Sequence, residues 1–306
     1  MRQRGKRVLL AGGSGFVGQA LAEHLSKVGY EVALLSRQKE KGFWWEPSTR
    51  QIDPEAIAWA DAVVNLAGER ITEGDWTPRR KEELINSRLD ATRLLVRELN
   101  RQSGATKIFL SASAYGVYGE QGNQILTEST PPILRANFLA DLCQQWEQAA
   151  QTAPGFGTRT VLMRIGLVLS HEEGLLAGLT KALRFGVGTP FGTGQQIQSW
   201  IHIADLCGLF EQAIRDDRWQ GPINAVAPHP VSNRELVETL AQVQGRRIWL
   251  PRLPATLLRW RLGEKSEFLL ASHWLSANHA QQLGYQYRFP TIREAIQDLC
   301  INQSNV

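Results

Sequence analysis

The stretch Val8-Leu9-Leu10-Ala11-Gly12-Gly13-Ser14-Gly15-Phe16-Val17-Gly18 decides the fold of this chain. Its first four residues read as a strand, its glycines recur at 12, 15 and 18, and a helical pattern follows through Leu21, Leu25 and Val28. A strand, a glycine turn and a helix in that order suit a dinucleotide pyrophosphate. Glycines lack a Cβ and let the backbone approach the phosphates, while free N–H groups and the helix dipole hold negative charge. The residues expected to cradle the diphosphate are therefore Gly12, Gly13, Ser14, Gly15, Phe16, Val17 and Gly18.

Outward from this turn, strands and helices alternate, which predicts an α/β fold with a Rossmann-like, doubly wound parallel sheet. Glu31–Ser36, residues 62–66, residues 107–111 and Arg159–Ile165 read as further strands. Pro78 opens a long helix to about Leu99, with Ile85, Leu89, Val96 and Leu99 on one face. Phe138, Leu142, Trp146 and Ala150 recur every four residues, so residues 135–151 read as a helix packed on the sheet. After Gly166 the composition shifts toward Gly, Pro and Trp, and residues 186–194 are too glycine-rich for regular structure. Helical patterns return at 203–215, 232–244, 254–262 and 291–300. The expected division is a cofactor-binding domain over residues 1–166, with return segments at about 196–228. A smaller C-terminal substrate domain, residues 167–195 and 229–306, lies over the cleft.

In such folds an acidic residue about 20 positions beyond the glycines binds the ribose hydroxyls of NAD. Here the second strand ends at Ser36 and continues Arg37-Gln38-Lys39, with no carboxylate. An Asp would repel a 2′-phosphate, whereas a guanidinium binds one through two charge-assisted hydrogen bonds. Ser36 and Arg37 thus point to NADP(H) rather than NAD(H); the alternative is that Arg37 is a solvated loop residue. Asn65-Leu66-Ala67-Gly68 closes another strand with small residues, and Ser111-Ala112-Ser113 ends a third at the carboxyl edge where ligands of open sheets bind.

The 306 residues, 43% apolar and 21% charged, can bury a sizeable core. No run of about 18 apolar residues predicts a membrane span. The basic start, Met1 to Arg7, leads straight into the glycine turn and does not read as a signal peptide. A cytoplasmic location is expected, with a small-molecule substrate, a homodimer, and neither nucleic acid nor membrane as partner. Three scattered cysteines and six scattered histidines show no metal-ligand spacing, so no metal is expected. The net charge of +4 is spread along the chain in short pairs such as Arg246-Arg247.

With these landmarks the chain resembles the extended, epimerase-like branch of the short-chain dehydrogenase/reductase superfamily. Gly12/Gly15/Gly18, Asn65-x-Ala67-Gly68, Ser111-x-Ser113 before Val117-Tyr118-Gly119, and Arg164 carry the match. It is similar in particular to the YfcH-like NAD(P)-dependent epimerase family. Residues 138–143 (Phe-Leu-Ala-Asp-Leu-Cys), 199–205 (Ser-Trp-Ile-His-Ile-Ala-Asp), 222–228 (Pro-Ile-Asn-Ala-Val-Ala-Pro) and 251–263 carry that likeness. The resemblance implies hydride transfer to or from a small carbonyl, alcohol or nucleotide-sugar-like substrate, and places Arg164 among the cofactor-binding residues.

The superfamily's catalytic pair is Tyr-x-x-x-Lys, one helical turn apart, so that the ammonium lowers the phenol's pKa. This chain lacks it. Its five tyrosines, Tyr30, Tyr115, Tyr118, Tyr285 and Tyr287, are followed four residues on by Leu34, Gly119, Gly122, Phe289 and Thr291. No lysine lies between Lys107 and Lys181, and Phe138 and Leu142 stand where the pair is expected. Ser113 is left as the residue to polarise a carbonyl and Tyr118 as the substitute proton donor, unless they only stabilise a strand end and a loop. Asp141 and His202 are lesser candidates, and Trp44, Trp45 and Trp200 are candidates for an aromatic pocket. An alternative function is an NADP(H)-binding protein with little catalysis, redox-responsive or division-linked, because relatives of this family are linked by name to cell or plastid division.

Overall fold

The run Val8–Ala11 is apolar without alternation, as a strand covered on both faces requires, and all four residues are buried. The structure is a computed structural model that describes residues 6–102, 108–153 and 157–301. Met1 to Gly5 and Lys107, which entered the sequence reading, lie outside the described residues.

Strand β1 (Arg7–Ala11) leads through the glycine turn into helix α1 (Phe16–Lys27), then β2 (Glu31–Ser36). There follow β3 (Phe43–Glu46), β4 (Gln51–Ile52), α2 (Glu55–Trp59), β5 (Ala62–Asn65), α3 (Pro78–Arg101), β6 (Ile108–Ala114) and α4 (Phe138–Ala150). The eight-stranded sheet runs Gly221–Ala225, Arg159–Ile165, β6, β5, β1, β2, β3, β4. β1 pairs in parallel with both β2 and β5, so Ala11 lies opposite Leu35 on one side and Asn65 on the other. The chain leaves β1 toward β2 and later returns to its other flank, which places the carboxyl end of β1 at the reversal of strand order where open α/β sheets bind ligands.

The chain forms two compact units, the first comprising Met1–Val117, Pro132–Arg164 and Cys207–Ile223. Its core joins Leu9, Leu35, Val63, Leu95, Phe109 and Leu162 from sheet and helix. The second comprises Tyr118–Pro131, Ile165–Leu206 and Asn224–Val306. Its helices Gly174–Arg184, Asn233–Val243 and Ile292–Ile301 bury Leu176, Leu240 and Ile296 around Trp200. Its strands are short pairs: Leu167–Leu169 with Trp200–His202, Ile197–Gln198 with Val231–Ser232, and Ile125–Leu126 with Trp274–Leu275.

Residues 186–194 are irregular, apart from a bridge between Phe191 and Leu253. The predicted strands and helices before Gly166 form, and among the elements not expected from the sequence are β3, β4, α2 and the helix Gly174–Arg184. β3 and β4 are only four and two residues long, too short to leave a period, and Trp44 and Trp45 suggest an aromatic pocket as readily as a strand. Gly174–Arg184 was passed over because the glycines around it masked the spacing of Leu176, Leu179 and Leu183.

Candidate functional site

The first unit contains a cleft of about 1020 Å³ at the carboxyl end of β1. Gly12, Ser14 and Gly15 line it from the first turn, Ser36 and Arg37 from the end of β2, and Leu66, Ala67 and Gly68 from the segment after β5. Eight of the residues expected to hold a cofactor therefore share one wall system.

The turn is built by close packing. Gly12 has φ +80°, and a Cβ there would sit 2.6 Å from the Leu66 carbonyl. A Cβ on Gly18 would meet the Gly12 oxygen at 2.2 Å, so only glycine lets α1 start this close to the strand. Gly15, at the N-cap of α1, offers no side chain to the helix's first N–H groups. Backbone donors are thus presented toward an anion at the dipole's positive end.

The other expected residues act from behind the wall. A Cβ on Gly13 would lie 2.5 Å from a Leu34 methyl, so that glycine serves strand–turn packing. Phe16, Val17 and Gly18 belong to α1 and are not among the residues lining the cleft. Asn65 is fully buried, accepts from the Ala67 N–H at 3.2 Å and donates to Thr92 Oγ1 at 2.9 Å. It shapes the 66–68 backbone. Thr92 Oγ1 also accepts from Trp146 Nε1 at 3.0 Å and donates to the Arg88 carbonyl at 2.7 Å, which joins β5, α3 and α4 through one hydroxyl.

Much of the cleft came from residues that the sequence reading did not single out. Lys41, Glu46, Pro47 and Ser48 line it beside β2, while Arg80, Glu83, Ser87 and Asp90 line it from α3. Those four recur at helical spacing (80, 83, 87, 90), so a polar stripe on α3 was the available signal. Arg88 is nearly buried. It donates to the carbonyls of Leu84 and Glu69 at 3.0 Å each and lies over the Trp146 ring. Its guanidinium backs Gly68, where a Cβ would meet it at 3.0 Å.

Ser113, Glu147 and Arg164 form a buried group in the same unit. Ser113 Oγ donates to Glu147 Oε1 at 2.6 Å. Arg164 grips the carboxylate with two hydrogen bonds of 2.9 Å, from Nε to Oε1 and from Nη2 to Oε2. None of the three lines the cleft, and all are under 7% exposed. Tyr115 and the Cys143 thiol are each pushed up to about 12 by burial, so both stay protonated at neutral pH.

In the second unit Tyr118 is fully buried and donates to Asn224 Oδ1 at 2.7 Å. His202 is the helix-entry residue: its Nδ1 accepts from the Ala204 N–H at 3.0 Å, and Nε2 lies 3.4 Å from Asp298. Burial holds its pKa down, to about 4. Asp205 accepts from the N–H groups of Arg288 and Phe289 at 2.8 and 2.9 Å, tying a loop to its helix. Asp141 lies in the first turn of α4. Trp45 lines the cleft, Trp44 pairs with Ser36 in the sheet, and Trp200 is core. Among the described residues no cluster of His, Cys, Asp and Glu could hold a metal ion, and no helix is long and apolar enough to cross a membrane.

Comparison with known proteins accords with this geometry. Residues 8–225 match the model of the NAD dependent epimerase/dehydratase family, and residues 253–299 match a domain of unknown function, DUF1731. The mouse epimerase family protein SDR39U1 is 33% identical over 297 residues, covering 96% of this chain and 99% of the relative. Epimerase family protein YfhF of Bacillus subtilis is 31% identical over 305 residues, covering 98% and 99%. The crystal structure of human SDR39U1 with NADPH superposes with a TM-score of 0.87 at 32% identity, over 97% of this chain and 99% of that one. MoeE5 in complex with UDP-glucuronic acid and NAD, at 19% identity and a TM-score of 0.78, shares the fold. The glycine turn, the sheet order and these matches together place the chain in the NAD dependent epimerase/dehydratase family.

Proposed function

We propose that this protein is an NADP(H)-dependent oxidoreductase or epimerase acting on a small carbonyl, alcohol or nucleotide-sugar-like substrate. The observation that carries the reading is the single cleft that Gly12 and Gly15 share with Ser36 and Arg37. A pyrophosphate on the α1 N-terminus and a phosphorylated ribose beside Arg37 fit it, with Leu66, Ala67 and Gly68 along the adenosine. The relative crystallised with NADPH supports the same choice. When bound, the nicotinamide supplies or accepts the hydride.

In this reading Ser113 polarises the substrate oxygen, and Tyr118 or water delivers the proton. Arg164 belongs to the cofactor-binding set through the Glu147 group. The cofactor domain in this reading takes residues 1–166 with returns at about 196–228, and the substrate domain residues 167–195 and 229–306. We assign the chain to the YfcH-like members of its family, a homodimer in the cytoplasm, with no nucleic acid as partner.

One observation favours a second reading. Both candidate hydroxyls are buried and already donate, Ser113 to Glu147 and Tyr118 to Asn224, and a hydroxyl has a single proton. Catalysis by Ser113 therefore requires a change of hydrogen-bond partner, whereas a cofactor-binding protein with little turnover, acting on a partner in a redox-responsive way, does not. A panel of carbonyl substrates followed by NADPH oxidation separates the two. Turnover that drops about 10²-fold or more in Ser113→Ala supports the enzyme. Turnover unchanged by that substitution removes Ser113 from the mechanism, and NADPH binding without turnover on any substrate favours the second reading.

A further inference from the structure

One face of the second unit presents large apolar side chains to solvent. Phe185 is 83% exposed, Trp260 81% and Trp249 73%, and Val187, Leu250 and Leu257 are about half exposed. They are brought together because the 185–192 segment runs beside the 249–255 segment. A Cβ on Gly186 would lie 3.3 Å from the Trp249 indole. Thr189 Oγ1 donates to the carbonyls of Leu250 and Pro251 at 3.1 and 2.8 Å, and the Leu253 N–H donates to the Pro190 carbonyl at 2.8 Å. Leu257 and Trp260 follow, three residues apart on helix Ala255–Leu262, of which only Leu258 is buried.

Cations alternate with these side chains along the 246–261 stretch. Arg246, Arg247, Arg252, Arg259 and Arg261 are all exposed, and among the described residues none forms an ion pair. From Gln244 to Gly263 there is no Asp or Glu, so this stretch carries five positive charges against +4 for the whole chain.

Three occupants are conceivable, and charge and shape choose among them. A second copy of the face would set arginines against arginines with no carboxylate between them. RNA uses aromatic platforms and cations, but Val187, Leu250 and Leu257 offer bases nothing to stack on. Exposed aromatic and aliphatic side chains interleaved with arginines are what an anionic bilayer surface accepts, rings and alkyl groups in the interface and guanidiniums on phosphates. We propose that this face seats on membranes rich in anionic phospholipid. The lack of a membrane partner expected from the sequence rested on the lack of a spanning segment, and a domain lying in the interface needs none.

The test is flotation of the full chain with vesicles of phosphatidylcholine alone and of phosphatidylcholine with an equal part of phosphatidylglycerol. Binding is expected only to the anionic vesicles, weakening about fivefold for each arginine neutralised. The variant R246Q/R247Q/R259Q/R261Q should thus lose more than about a hundredfold. Trp249→Ser with Trp260→Ser should abolish the binding that survives at high salt. All six side chains are exposed, so an unchanged melting temperature verifies that these variants fold. No partition into anionic vesicles, or binding indifferent to both variants, overturns the proposal. So does RNA bound more tightly than vesicles, or lipid-free self-association that Trp260→Ser abolishes.

Discussion

Glu147 is asked to satisfy a serine and a guanidinium from a position 6% exposed to water. A carboxylate in that setting is stabilising only while both partners stay, because a buried charge left alone costs several kcal/mol. Glu147→Gln keeps the shape and strands the Arg164 charge, so urea unfolding should show a loss of about 3 kcal/mol or more. Ser113→Ala removes one hydrogen bond to a charged group and should cost about 2 kcal/mol. If Glu147→Gln unfolds at the same urea concentration as the parent, the group is not holding this part of the sheet. Ser113 was legible as a residue at a strand end. Its partner was not, because Glu147 lies 34 residues on and an acid on an amphipathic helix reads as solvated.

The glycine turn and the helices around it show what local sequence reveals. β1, the turn and α1 are contiguous, so their chemistry is written in eleven consecutive residues, Val8 to Gly18. Gly12→Ala would combine a left-handed backbone with a Cβ 2.6 Å from the Leu66 carbonyl. It should weaken binding of either nicotinamide dinucleotide by at least about tenfold, and an unchanged affinity in fluorescence titration would show that the turn is not the phosphate cradle. The opposite wall was hidden because Pro47, Arg80 and Asp90 reach the cleft only after β3, β4 and α3 have packed. Thr92 is the hinge of that packing. Thr92→Val keeps the shape but leaves the Asn65 amide and the Trp146 indole N–H without their acceptor. Thermal or urea unfolding should show a loss of about 2–4 kcal/mol, since each orphaned buried donor costs about 1–3 kcal/mol.

Across the molecule, the fold class was readable because five apolar segments before Gly166 alternate with helical ones, whereas the second unit was less so. Its paired strands are two or three residues long, too short to leave a period, and tertiary pairing decides them. That unit also carries an acid-sensitive pair. Burial lowers both His202 and His273 to about 4 from an ordinary 6.5. A base whose folded pKa is depressed binds its proton more readily unfolded, so the contribution is full above pH 6.5 and is lost as pH falls toward 4. The loss is on the order of 3 kcal/mol for each histidine. Melting temperature should fall over that window, and less steeply in His202→Gln and His273→Gln. Equal slopes would mean that the acid response originates elsewhere. The exposed Trp249 and Trp260 could not be told from core tryptophans by sequence, since the same residue type fills both places.

The central claim is that a guanidinium after the second strand selects the phosphorylated adenosine. Calorimetric titration of the protein and of Arg37→Glu with NADPH and NADH tests it most directly. The account predicts NADPH bound at least about tenfold more tightly than NADH by the parent, and a preference abolished or reversed in Arg37→Glu with NADH affinity retained. Equal affinity for the two nucleotides in the parent, or a preference that survives the charge reversal, would contradict it.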